Sequence, residues 1–152
     1  MSKLFSSSFV GYGLGEFNGD ISRWDVSNAE NMKWMFDENE SFNQPIGDWD
    51  VSNVTDMGGM FDGAYSFNQP LDRWDVSNVT HMDDMFKYAK SFNQPIGGWD
   101  VSNVTDMYRM FDGAKSFKQD LSKWKIKTKC STVDMFHACP IKQEYKPKGI
   151  KK

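Results

Sequence analysis

A 25-residue unit recurs without a gap from Phe17 to Ile141, and it constrains the fold more than any other feature. The five copies are residues 17–41, 42–66, 67–91, 92–116 and 117–141. The three central copies are identical at sixteen of 25 positions, whereas the first keeps eleven of those sixteen residues and the last keeps five. Divergent terminal copies are typical of repeat proteins, whose end units cap a stack. We therefore predict an irregular N-terminal cap (1–16), five stacked repeats (17–141) and a basic flexible tail (142–152).

The apolar residues of each unit predict a short strand followed by a short helix. Trp49 and Val51 are two residues apart, a spacing that places both side chains on one face of a strand. Asn53 then matches a helix N-cap. Five apolar residues follow at helical spacing: Val54, Met57, Met60, Phe61 and Ala64. Stacking such units predicts an α/β fold with short parallel strands on one face and short helices or 3-10 turns on the other.

The methionine and aromatic rows are interpreted as core. The chain holds ten Met, twelve Phe and six Trp, and most of them return at the same phase of every unit. A residue type that recurs at one phase fills the same place in each layer of a stack. This pattern favours packing over a cofactor site.

An acidic row is the strongest candidate binding feature. Each Trp of the first four units is followed by an aspartate, and a serine comes two residues later; the row is Asp25, Asp50, Asp75, Asp100 and Ser27, Ser52, Ser77, Ser102. These side chains should point outward, where like charges in adjacent layers are unfavourable unless something offsets them. One interpretation is that each Asp caps the Ser-Asn turn. The other is that the row binds a cation or a basic partner.

Charge is unevenly distributed along the chain. Residues 117–152 hold ten Lys against three acidic residues, which gives +7, while residues 1–116 hold 8 basic and 18 acidic residues, which gives −10. The asymmetry fits solvated faces and a frayed tail, and it also fits self-association between the acidic array and the basic end, or an acidic partner for the tail.

Few residues suggest catalysis, metal binding or membrane insertion. His81 occupies the place of Asp56 in its unit, and His137 with Cys139 falls short of a four-ligand zinc site. Cys130 and Cys139 would lie about 13 Å apart on a helix, too far for a disulfide. No stretch of 18 apolar residues is present, and the first ten residues are a poor secretory signal. We predict no enzyme activity, no cofactor, no metal, no membrane span and no nucleic-acid binding.

The repeated motif resembles a known family. The motif WDVSNVTDM-x-x-MF-x-x-A-x-SFNQPI is similar to the 25-residue unit of BspA-like leucine-rich-repeat surface proteins. The resemblance implies a right-handed leucine-rich-repeat-like solenoid, a cell-surface or secreted location, and a role in adhesion or protein–protein contact. It implies no catalytic residues.

Two functions follow as expectations. The first is a non-catalytic protein–protein interaction or adhesion module that docks a partner on its repeated strand face through the Asp and Ser row. The alternative is a structural or assembly protein that stacks through the ends of the repeat array.

Overall fold

The computed structural model describes residues 14–150, in which each 25-residue copy forms one coil of a stack. We number the coils 1 to 5 in chain order, with the bounds given above. Regular secondary structure in this part of the chain is limited to two 3-10 helices, Leu14–Glu16 and Gln143–Tyr145. Neighbouring coils are joined by isolated parallel bridges: Asn31 to Asp56, Asp56 to His81, His81 to Asp106 and Asp106 to Ser131.

The prediction of a leucine-rich-repeat-like α/β solenoid is therefore wrong. Residues 14–150 contain no β-strand and no α-helix, and the coils consist of turns. The amide N–H of Trp49 bonds the carbonyl of Ile46 at 3.1 Å, and that of Val54 bonds Val51 at 2.9 Å. The apolar spacing of three residues thus reflects tight turns closed by i to i+3 hydrogen bonds. Asn53 is no helix cap, because its Nδ2 donates to the Ser27 carbonyl of the preceding coil at 2.8 Å.

The second half of each coil alternates between bonds within the coil and bonds to the next coil. In coil 2, the N–H groups of Gly59, Phe61 and Gly63 donate to carbonyls of coil 3 at 2.7–2.9 Å. The N–H groups of the residues between them, Met60 and Asp62, close turns on their own coil. A parallel strand sends N–H and C=O groups to both neighbours. From Gly59 to Gly63, however, N–H groups donate either to the next coil or within their own coil and none donates to the preceding coil, so no strand forms.

Two residues in this segment of each coil adopt a positive φ. The first set is Trp34, Gly59, Asp84, Arg109 and Asp134, and the second is Glu38, Gly63, Tyr88, Gly113 and Ala138. They occupy the third position of tight turns, where type II geometry favours glycine. Seven of these ten residues carry a side chain in a conformation that costs roughly 1–2 kcal/mol per residue. The coil-to-coil hydrogen bonds that their N–H groups make in coils 1 to 4 help to offset this strain.

Columns of stacked rings run through the core. Phe36, Phe61, Phe86, Phe111 and Phe136 form one column with centroid separations of 5.5–5.6 Å. A second column begins at Phe17 and ends at Phe117. Four of the five columnar Trp are 3–4% exposed, and their indole N–H groups donate to a carbonyl of the preceding coil. The predicted inward residues of coils 2 to 4 are all buried, so this prediction is confirmed.

Side-chain amides supply further contacts between coils. The Oδ1 atom of Asn43 accepts from the backbone N–H of Asn68 at 2.9 Å and from Gln69 Nε2 at 3.1 Å. The same arrangement recurs at each coil boundary from Asn18 onward. These amides satisfy backbone groups, as buried or half-buried turns require.

The segment after Ile141 lies against coil 5. Tyr145 packs against the core, and its carbonyl accepts from the N–H of Leu121 at 2.8 Å. Lys146 Nζ lies 5.6 Å from the centroid of the Phe136 ring, which ends the first phenylalanine column. Cys130 is buried and Cys139 is half-buried, and both are free thiols.

Replacing Gly59 with alanine should destabilise the stack. A Cβ at Gly59 would overlap the Trp34 ring of coil 1, and φ is +58°. We expect Gly59→Ala to lower the free energy of unfolding by roughly 2–4 kcal/mol in chemical denaturation. Gly98→Ala is the control, because nothing lies within 4 Å of its added Cβ. Adding Trp34→Ala to Gly59→Ala should restore part of the loss, and equal stability of Gly59→Ala and the wild type would contradict the assigned packing.

Asn39 is a stabilisation target. It occupies the place of Ala64 in its coil, is 0% exposed, and neither of its amide atoms has a hydrogen-bond partner among residues 14–150. An unsatisfied buried polar group costs about 1–3 kcal/mol. We therefore expect Asn39→Ala to raise the free energy of unfolding by about 1 kcal/mol. The reciprocal variant Ala64→Asn should lower it, and a destabilised Asn39→Ala protein would show that the amide is satisfied in solution.

Candidate functional site

The acidic row lies on the surface, as predicted. Asp25, Asp50, Asp75 and Asp100 are all exposed. In the first three, Oδ1 accepts from the serine Oγ at 2.6 Å and from the serine N–H at 3.0–3.1 Å. In Asp100 the backbone N–H of Ser102 donates to Oδ1 at 3.0 Å. The turn-capping interpretation is thus confirmed, and it uses one oxygen of each carboxylate.

The row is ionised at neutral pH. The serine hydroxyl, and then the serine backbone N–H, hold the pKa of each of the four carboxyls below its ordinary value. Neighbouring carboxylates oppose this weakly, since Asp50 and Asp100 both act to raise the pKa of Asp75. Within residues 14–150, the Oδ2 atoms of the row accept no hydrogen bond. The row is therefore a column of negative charges, each held by one oxygen and open to solvent at the other.

Coil 5 ends the row with the opposite charge. Lys125 and Lys127 stand where the other coils carry Asp and Ser. Lys125 contributes to lowering the pKa of Asp100, and Lys127 Nζ lies 3.4 Å from Asn103 Oδ1. The row thus has a defined length of four coils.

A second polar surface gathers residues that differ between units. We call Lys33, Asp62, Asp83, Asp84, Lys87, Arg109, Asp112, Asp134 and His137 the variable face. Lys33 reaches across coil 2 to Asp83 of coil 3 at 3.5 Å, and Gly58 leaves room for this contact. An added Cβ at Gly58 would lie 2.8 Å from Asp83 Oδ1.

Lys87 is the centre of the variable face. Its Nζ lies 2.9 Å from Asp62 and 3.6 Å from Asp84, and all three side chains are largely buried. Burial raises the pKa of Asp62 to about 6 and also raises that of Asp84, against the attraction of Lys87. Burial would lower the pKa of Lys87, but its two aspartate partners outweigh burial and raise it.

The histidines take structural places. His81 Nδ1 lies 2.9 Å from Thr80 Oγ1, and its backbone forms a parallel bridge on either side. His137 Nδ1 lies 2.8 Å from Oδ1 of the buried Asp112, one coil below. Within residues 14–150, no three His, Cys, Asp or Glu residues come together as a potential metal site. The same part of the chain has no helix with the length and apolar character needed to cross a bilayer.

The sequence interpretation missed the variable face. The sequence does contain a pattern that indicates this face. The three central units differ at nine positions, and most of these positions fall from Asp56 to Tyr65 of coil 2. The helix prediction uses only the apolar positions of this segment and gives its polar positions no role. In the structure, the turns align these positions from coil to coil, so their charges pair across the stack.

The geometry defines the class as a tandem-repeat protein built from hydrogen-bonded coils. A family model described as "Mycoplasma protein of unknown function, DUF285" matches residues 1–77 and 46–147. The chain belongs to this family. No curated protein and no solved structure matches the chain.

Removing the buried Asp62 charge should change how stability depends on pH. A carboxyl whose pKa is raised on folding stabilises the fold below its unfolded pKa, and that contribution is lost as pH rises through about 6. We expect the free energy of unfolding of the wild type, relative to Asp62→Asn, to fall by roughly 2–3 kcal/mol between pH 4 and pH 7. Chemical denaturation of both proteins at each pH measures this difference in the free energy of unfolding.

Asp50→Asn is the matched control, because the pKa of Asp50 is lowered on folding. The stability of the wild type relative to this variant should rise with pH over the acidic range. A pH-independent difference between the wild type and Asp62→Asn would contradict the assignment of a raised pKa.

Proposed function

We propose that the chain is a non-catalytic interaction module that docks a basic surface of a protein partner on the row formed by Asp25, Asp50, Asp75 and Asp100. The proposal rests on one observation: four ionised carboxylates form a line with one carboxylate per coil, and each has one oxygen open to solvent.

Turn capping alone does not require this charge. At another turn of the unit, Asn31 Oδ1 accepts from the N–H of Lys33 at 2.9 Å, and Asp56 and Asp106 make the same bond in their coils. Asparagine is thus an adequate cap in this fold. The row nevertheless holds Asp in four coils, including coil 1, which differs from the central units at five of the sixteen positions they share.

Like charges in adjacent layers repel one another, a cost that asparagine caps would avoid. Docking a basic partner would explain why aspartate is present instead, since a line of fixed carboxylates offers complementary potential along its length. The Lys125 and Lys127 side chains would then mark the end of the surface that the partner contacts. We further propose that the chain is related to BspA-like surface proteins and acts in adhesion. This part of the proposal rests on the resemblance of the repeated motif.

Neutralising the row should abolish partner capture without unfolding the stack. The variant Asp50→Asn, Asp75→Asn, Asp100→Asn keeps an Oδ1 acceptor for each serine and removes three charges. We expect proteins that the immobilised wild type captures from native cell extract, identified by mass spectrometry, to be lost. The control variant Asp48→Asn, Asp72→Asn, Glu40→Gln removes three exposed charges outside the row and should retain them. Equal capture by both variants would place the docking surface elsewhere.

A further inference from the structure

In the described part of the chain, the last coil ends in an edge of backbone donors that have no acceptor. In coils 1 to 4, four alternate N–H groups donate to the next coil, and the last three of them in coil 4 are those of Arg109, Phe111 and Gly113, at 2.9–3.1 Å. In coil 5 the equivalent groups belong to Asp134, Phe136 and Ala138. Their backbone N–H groups find no acceptor within residues 14–150. Asp134 and Ala138 have φ of +53° and +51°, the conformation that aims the equivalent groups at the next coil.

A cleft lies along the part of this edge that Asp134 and Phe136 form. Its volume is about 740 Å³, and its walls are coil 5 on one side and the segment 143–150 on the other. This volume falls in the range of about 300–1,000 Å³ typical of ligand sites. Asp134 and Phe136 line the cleft on the coil side, and Lys146 and Lys148 line it on the other.

Coil 5 and the segment that follows it carry a net positive charge. Residues 117–150 hold eight Lys against Asp120, Asp134 and Glu144, two of which, Asp134 and Glu144, line the cleft. Lys148 is exposed, whereas Lys146 lies over the Phe136 ring at 5.6 Å. The net positive charge favours an occupant with acidic side chains.

We propose that this edge binds an extended acidic peptide segment of a partner protein. Backbone carbonyls at alternate residues of the peptide would accept from the N–H groups of Asp134, Phe136 and Ala138, as the carbonyls of the next coil do elsewhere in the stack. This is recognition by backbone addition at an open edge, in which main-chain bonds supply affinity and side-chain charge supplies selectivity. The site is separate from the acidic row and takes a partner of opposite charge.

An eight-residue peptide that alternates glutamate and threonine is a suitable probe, with a lysine and threonine peptide for comparison. Titration of the acidic peptide into the intact chain, followed by amide NMR, should shift the N–H signals of Asp134, Phe136 and Ala138. Their hydrogen exchange should slow by about tenfold or more at saturation. The basic peptide should leave these three signals unchanged.

Charge reversal separates the cleft from the general basicity of coil 5. We expect Lys148→Glu to weaken binding of the acidic peptide about fivefold at low salt, whereas Lys123→Glu, an exposed reversal outside the cleft, should weaken it less than twofold. Equal effects of the two variants, or unchanged exchange at the three amides under saturating peptide, would overturn the proposal. Slow exchange in the free chain that depends on protein concentration would also overturn it, because a second copy would then fill the edge.

Discussion

The coil-to-coil hydrogen bond made by alternate backbone N–H groups is the interaction on which the rest of the structure depends. It sets the separation of the layers, and it requires a positive φ at positions such as Gly59 and Gly63. Because N–H groups such as those of Gly59 and Gly63 donate toward the next coil, the stack has a direction, and within residues 14–150 the equivalent groups of coil 5 lack an acceptor. The phenylalanine and tryptophan columns fill the interior at the spacing that these bonds impose. Burial of the rings supplies most of the driving force, and the bonds supply register.

The repeated and variable residues of the unit have different physical tasks. Repeated residues satisfy the same contacts in every layer, as the Asn43 and Asn68 amides do, so any change would be felt at two boundaries. Variable residues lie where one coil reaches across another, as Lys33 does over Gly58 to meet Asp83. Their charges complement one another across layers, which ties each coil to a particular neighbour. The charge pairs between coils therefore depend on the order of the units along the chain.

The period, the buried rows and the outward direction of Asp50 and its equivalents follow from the sequence, because identical residues in register must meet identical surroundings. The choice between a helix and a series of turns within each unit could not be predicted from the repetition. Apolar residues three apart, as at Val54 and Met57, fit a helix and a series of tight turns equally well. The deciding features are the positive φ values of residues such as Trp34 and Arg109, which are unusual for non-glycine residues and leave no signature in residue type. The pairing of variable charges was missed for the same reason.

Opposite charges at separate places suit a protein that contacts more than one partner. The acidic row spans four coils, and its length grows with every added unit, so the avidity of the proposed docking to a basic surface would depend on the number of repeats. The edge at Asp134 and Phe136 exists once per chain, whatever the number of units. A change in repeat number would thus alter contacts along the row and leave the edge intact. The two surfaces are independent because the side of the stack presents side chains, whereas its C-terminal end presents backbone N–H groups.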